Sequence, residues 1–252
     1  MNDVAILPTT RDEDWRYADL AALKELTADV LDDWREVAIP AGGVEVMRFV
    51  LDDENLGVTR LRLTLGKGAR AEIYAIASAS TYARLEVEVT LARGAHFEFG
   101  GVTIGGGDTT REFVTRVTHA EPEATSNQTI RAVHWGRATG NFLGRIEVVK
   151  DAQKTDAAQN FRAILLEKGA TANTKPELEI FADDVKCAHG AAIGALDPME
   201  GFYMAARGIP PQVARRLQVQ AFVADAFSAM EDDAQAEALL GTVLAALEGA
   251  EL

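Results

Sequence analysis

Near-copies of one nine-residue stretch set the strongest limit on what this chain folds into. LGKGARAEI at 65–73 resembles LARGAHFEF at 91–99, and LEKGATANT at 166–174 resembles both. A period of about 26 residues, as between the first two, is the size of one supersecondary unit, which buries its apolar face only against a neighbouring copy. The residues around it have period two: Leu61, Leu63 and Leu65 alternate with Arg62 and Thr64, and Leu85, Val87, Val89 and Leu91 with Arg84, Glu86, Glu88 and Thr90. That is the pattern of half-buried strands. Turn signals follow at short intervals, at Gly66-Lys67-Gly68, Arg93-Gly94, Gly105-Gly106-Gly107 and Glu121-Pro122, and no long helical pattern interrupts them before residue 197. Repetition and period leave a β-solenoid and an ordinary sandwich both open.

The flanks differ from this middle. Asp14 to Leu23 has the makings of a short helix and Pro40-Ala41-Gly42-Gly43 marks a turn, so residues 1–56 read as an N-terminal arm and 57–196 as the β core. From residue 197 to 252 the pattern is helical. Asp197 is placed to cap, Pro198 suits the first helical position and Glu200 completes a capping box, while Gly208 suits the end of that helix. Pro210-Pro211 starts a second helix with Val213, Leu217, Ala221, Ala224 and Phe227 at helical spacing, and Leu239, Leu240, Val243, Leu244 and Leu247 mark a third. Together they read as a compact helical unit separate from the strands.

Twenty-five Lys and Arg against 39 Asp and Glu give a net charge of −14, which disfavours nucleic acid and anionic membranes as partners. The first residues, Met1 to Pro8, have neither a basic start nor a long apolar run, so no leader or membrane anchor is expected, and the cytoplasm is the expected location. Cys187 is the only cysteine, which excludes an internal disulfide and any metal site built from several cysteines of this chain. No G-x-x-x-x-G-K-[ST] and no G-x-S-x-G occurs, so neither nucleotide hydrolysis nor a serine hydrolase is expected.

The stretch KPELEIFADDVKCAHGAAIGALDPMEGFYMAARGIP, Lys175 to Pro210, closely resembles the most characteristic segment of the SufB/SufD family of iron–sulfur cluster assembly proteins, and Gly144 to Pro176 resembles the same family's preceding coils. Glu13-Asp14-Trp15-Arg16-Tyr17 and Asp183 to Gly190 are similar to the SufD branch rather than to SufB. The resemblance implies a mainly β fold: a right-handed parallel β-helix, or solenoid, with a short N-terminal arm and a small C-terminal helical region. It also implies a non-enzymatic scaffold pairing with a SufB-like subunit, or with a second copy of itself as a homodimer, and binding a SufC-like ATPase. This chain is much shorter than typical members. A carbohydrate-active β-helix enzyme is the rival reading, though the expected secretion signal and calcium-binding acidic cluster are not seen; a paralogous adaptor without assembly function is another.

Cys187 and His189 form the sharpest local site. Residues i and i+2 of a strand point to the same side, so a thiolate and an imidazole stand side by side, both acceptable iron ligands. The same parity runs through Val185, Ala191 and Ile193, which allows both to be core groups instead. The resemblance places His189 at the SufB interface as a metal ligand, with Cys187 second, for a transient iron–sulfur cluster whose other ligands come from the partner; the isolated chain is expected to carry none. Asp183 and Asp184, as strand neighbours, face opposite ways and suit a turn rather than a paired-carboxylate site. His119 and His134 are isolated histidines with no site role expected. Trp15 and Tyr17 are expected to pack the arm on its own solenoid.

Overall fold

Two parallel sheets face each other, and the chain passes from one to the other at every strand. The structure is a computed structural model that describes residues 8–51, 57–78 and 81–250; Met1 to Leu7, the basis for expecting no leader, lie outside them. The strands are β1 (Trp34–Ile39), β2 (Val44–Leu51), β3 (Gly57–Leu65), β4 (Arg70–Ala77), β5 (Tyr82–Leu91) and β6 (His96–Gly105), then β7 (Thr110–His119), β8 (Thr125–His134), β9 (Thr139–Val148), β10 (Asp156–Leu165), β11 (Thr171–Ile180) and β12 (Lys186–Gly194). One sheet runs β1-β3-β5-β7-β9-β11 and the other β2-β4-β6-β8-β10-β12. Each coil therefore contributes one strand to each sheet, which is a β-solenoid rather than a sandwich.

The repeat read from sequence is the coil. Leu65 pairs with Leu91 and Arg70 with His96, which is the spacing between the first two copies of the repeat. Later coils are longer, as the pairing of Thr139 with Thr171 shows. The third copy is a similar turn at a different corner: Leu166 to Thr174 leads into β11 of the odd sheet, whereas the first two copies lead into β4 and β6 of the even one. The solenoid also begins earlier than residue 57, since β1 and β2 pair in register with β3 and β4; short strands broken by Pro40-Ala41-Gly42-Gly43 conceal the period there.

One corner stacks through the molecule. Gly42, Gly68, Gly94, Glu123 and Lys154 all have positive φ, between 61° and 69°. Each donates its N–H to a carbonyl of the next coil, those of Lys67, Arg93, Pro122, Gln153 and Asp184. Gly68 and Gly94 adopt this conformation without cost, whereas Glu123 and Lys154 carry a Cβ that it disfavours.

The lumen between the sheets holds Leu61, Leu63, Leu65, Ile73, Leu85, Val87, Phe97, Phe99, Phe113, Ile130, Phe142 and Phe161. Phe99 meets Phe113 edge to face at 5.5 Å, and Phe142 stacks on Phe161 at 6.0 Å. The tail comprises α3 (Pro198–Ala205), α4 (Pro211–Ala224) and α5 (Asp233–Ala246). Asp197 caps α3 as expected, accepting from Met199 N at 2.8 Å. Glu200 instead accepts from Gln218 of α4 at 3.2 Å, tying the two helices together.

The tail is not a separate unit. Val219, Val223, Phe227, Leu239, Val243 and Leu247 pack on Tyr74, Ile76, Val102, Ile104 and Val133, the outward residues of β4, β6 and β8. Arg131 of β8 pairs with Asp225, and the carbonyl of Ala226 sits where any side chain at Gly100 would go. The outward rows of these strands are apolar because helices cover them.

The arm forms a single 3-10 turn at Glu13–Trp15, then α1 (Leu20–Glu25) and α2 (Ala28–Asp32). The helix expected over Asp14 to Leu23 is thus in two pieces, because Asp19 accepts from the N–H groups of Ala21 and Ala22 and starts a new helix there. Trp15, Ala18, Ala22, Leu23 and Leu26 pack with Tyr82 on the outside of the odd sheet.

Candidate functional site

The solenoid's last rung is β11 and β12, the terminal strands of the two sheets. No residue of either strand is fully buried. Their inward side chains line an end face that no further coil covers among the described residues.

Cys187 and His189 lie on that rung. Cys187 pairs with Ala157 of β10 and His189 with Gln159, so both take the inward parity expected of alternate positions on one strand. Their environments differ. Cys187 is half-buried against Ile146, Val148, Ala157 and Ala182; burial, with the Asp156 carboxylate nearby, pushes its thiol pKa up. Its proton is therefore held more tightly than in a free cysteine, and it ligates metal only after losing it. His189 is exposed, despite sharing parity with the core, because the lumen is open where it stands. Ile180 (39% exposed), Phe181 (64%) and Ile193 (46%) are exposed large apolar groups on or beside this rung.

Beneath His189, one rung inward, Gln159 is buried and reaches across the lumen, donating from Nε2 to the carbonyls of Gly144 and Glu177 at 3.3 Å each. One rung further in, Gln128 accepts from Thr115 Oγ1 at 2.6 Å. Gln128 and Gln159 thus stand as buried polar groups among apolar neighbours such as Phe142, Ile146 and Phe161. Sequence reading missed both glutamines; each sits at an inward position of a strand where alternation with polar outward residues gives no contrast.

Asp183 and Asp184 occupy the bend between β11 and β12, where Asp184 N donates to Gln153 Oε1 at 2.8 Å and its carbonyl accepts from Lys154 N. They have the turn role expected of them. His119 and His134 are buried away from the end face, on β7 and β8. His119 Nε2 is 2.9 Å from Ser126 Oγ, and burial lowers its pKa to about 4. His134 lies 3.1 Å from Thr103 Oγ1 and 3.2 Å from the Gly105 carbonyl, and burial, with Arg111 nearby, lowers it to about 3. Both are neutral core groups.

Two donors of this kind do not make a cluster site. Among the described residues no group of three or more His, Cys, Asp and Glu is placed to hold a metal ion. No described helix is long and apolar enough to cross a membrane.

A second exposed surface lies on the tail. Phe202 of α3 stands out, while Pro198, Ala205, Pro211 and Ala214 line a groove of about 460 Å³ between α3 and α4. Leu217 and Val213 of α4 are also exposed.

Residues 44–222 match the family model described as SUF system FeS cluster assembly, SufBD core domain. The chain is 35% identical over 135 residues to the iron-sulfur cluster assembly protein SufD of Escherichia coli, covering 54% of this chain and 32% of that protein. It is 31% identical over 173 residues to an iron-sulfur cluster assembly SufBD family protein of Synechocystis, covering 68% and 38%. With protein ABCI7, chloroplastic, of Arabidopsis thaliana it shares 49% identity over 81 residues, 32% of this chain and 17% of that one. The chain spans little more than a third of the length of these relatives, or less.

Proposed function

The chain belongs to the SufBD core domain family of SUF system FeS cluster assembly, and from that premise we propose that it is a non-catalytic scaffold for cluster assembly, of the SufD type. Its open end pairs with a SufB-like subunit, or with a second copy of itself, and its tail binds a SufC-like ATPase. The observation that carries this reading is the end face: two strand edges unpaired among the described residues, exposed Phe181 and Ile193, and an exposed imidazole at His189 beside the Cys187 thiol. Strand edges of this kind invite addition of another chain, and an imidazole with a thiol supplies part of an iron ligand set. The groove between α3 and α4, with Phe202 and Leu217 exposed beside it, is the docking face assigned to the ATPase.

His189→Ala tests the site. Because His189 is exposed, the substitution is expected to change folding stability by no more than about 0.5 kcal/mol and to leave complex formation intact. It is expected to lower the iron and sulfide recovered with a SufB-like and SufC-like complex purified without oxygen. Cluster content at the wild-type level would sink the ligand assignment. Failure of the wild-type chain to co-purify with either partner from its own cells would instead favour an adaptor that has lost the assembly role.

A further inference from the structure

The N-terminal arm lies across the outside of the odd sheet, and its contacts reach four of that sheet's strands. The Trp15 ring, 7% exposed, stacks on the Arg84 guanidinium of β5 at 3.7 Å. The Asp14 carboxylate pairs with Arg116 of β7 at 2.5 Å. The Tyr17 carbonyl accepts from Asn141 Nδ2 of β9 at 2.9 Å, and Glu13 pairs with Lys175 of β11. Residues 13–17 thus span four adjacent strands, about 15 Å at the usual spacing.

These contacts rest on a charged layer that the arm seals. Arg84 and Glu112 are wholly buried and paired at 3.0 Å, and Arg84 Nη1 also donates to the Asp14 carbonyl at 2.9 Å. Glu86 is shared by Arg60, Arg84 and Arg116. The anchoring end of the arm is therefore over β5 and β7, which are held on both sides by neighbouring strands. Its far end reaches β11, which among the described residues has a neighbour on one side only, has no fully buried residue, and lacks one backbone donor at Pro176. An element with that little burial opens locally at low cost unless something else retains it.

We propose that the arm is a releasable clasp for the terminal strand: Trp15 anchors it on the central strands and Glu13 hooks β11 through Lys175. Order at the solenoid's open end is then set by a segment from the opposite end of the sequence, and a partner that displaces the arm loosens that end.

Amide hydrogen exchange of the full chain, read strand by strand, tests it. Glu13→Gln is expected to speed exchange of β11 about threefold, as a half-exposed ion pair supports, while β3, β5 and β7 stay unchanged. In a Lys175→Gln background the same substitution is expected to have no further effect, because the pair is already gone. Trp15→Ala is expected to release the whole clasp and speed β11 more than either. Unchanged β11 exchange in Glu13→Gln, additive effects of Glu13→Gln and Lys175→Gln, or equal acceleration of every strand would each overturn the proposal; the Glu13 and Lys175 variants decide it even if Trp15→Ala does not fold.

Discussion

At the scale of single residues, the histidines and the stacked corner show how burial and backbone geometry override chemistry that looks equivalent in sequence. His119, His134 and His189 are alike as isolated letters, yet two are sealed and one stands at an open end. The sealed pair has a consequence for acid stability. Their folded pKa values, about 4 and about 3, lie below the ordinary 6.5, so between those limits the unfolded chain binds protons that the folded chain refuses. Stability is nearly untouched at pH 7 and falls as the pH drops below about 6.5, by about 2 kcal/mol per histidine at pH 5. Urea titrations at pH 7 and pH 5 check this: His119→Gln with His134→Gln is expected to remove most of the difference between the two midpoints. At the corner, Lys154 has φ of 61° where three earlier coils have glycine. Lys154→Gly is expected to raise stability by about 1 kcal/mol, strain relief outweighing the added freedom of the unfolded chain. A lower thermal midpoint would contradict that.

At the scale of elements, the strands were legible and their surroundings were not. Period two in Leu61 to Leu65 and Leu85 to Leu91 gave the correct inward face, because only one face of those strands is apolar. It gave no warning that Arg84, Glu86 and Glu112 are buried on the other face, since polar outward residues read as solvated whether or not an arm lies over them. The parity of Cys187 and His189 was readable for the same reason that the core was. Their exposure was not, because it depends on whether another coil lies over them, and among the described residues none does. The tail misled most: Tyr74, Ile76, Val102 and Ile104 hold apolar outward positions that record its docking, but period two cannot say which side of a strand is inside when both are apolar. Truncation after Leu196 uncovers that patch and leaves Arg131 without Asp225. The shortened chain is therefore expected to aggregate or to lose several kcal/mol of stability, measured by light scattering and denaturant titration. A monomeric product of wild-type stability would show that the helices contribute little to the solenoid.

At the scale of the whole molecule, each strand pairs only with those one coil before and after it, so the fold is linear in the sense that its main contacts each span a single coil. Apart from the arm and the tail, nothing among the described residues ties distant coils together. Seen as a mechanical object, this is a spool. Tension applied between its ends peels one coil at a time rather than breaking a single cooperative block, and each coil released adds about 90–115 Å of extended chain. The stacked corner sets the tooth of that ratchet. The arm, bridging four windings of the odd sheet, is the catch that keeps the last winding from running off.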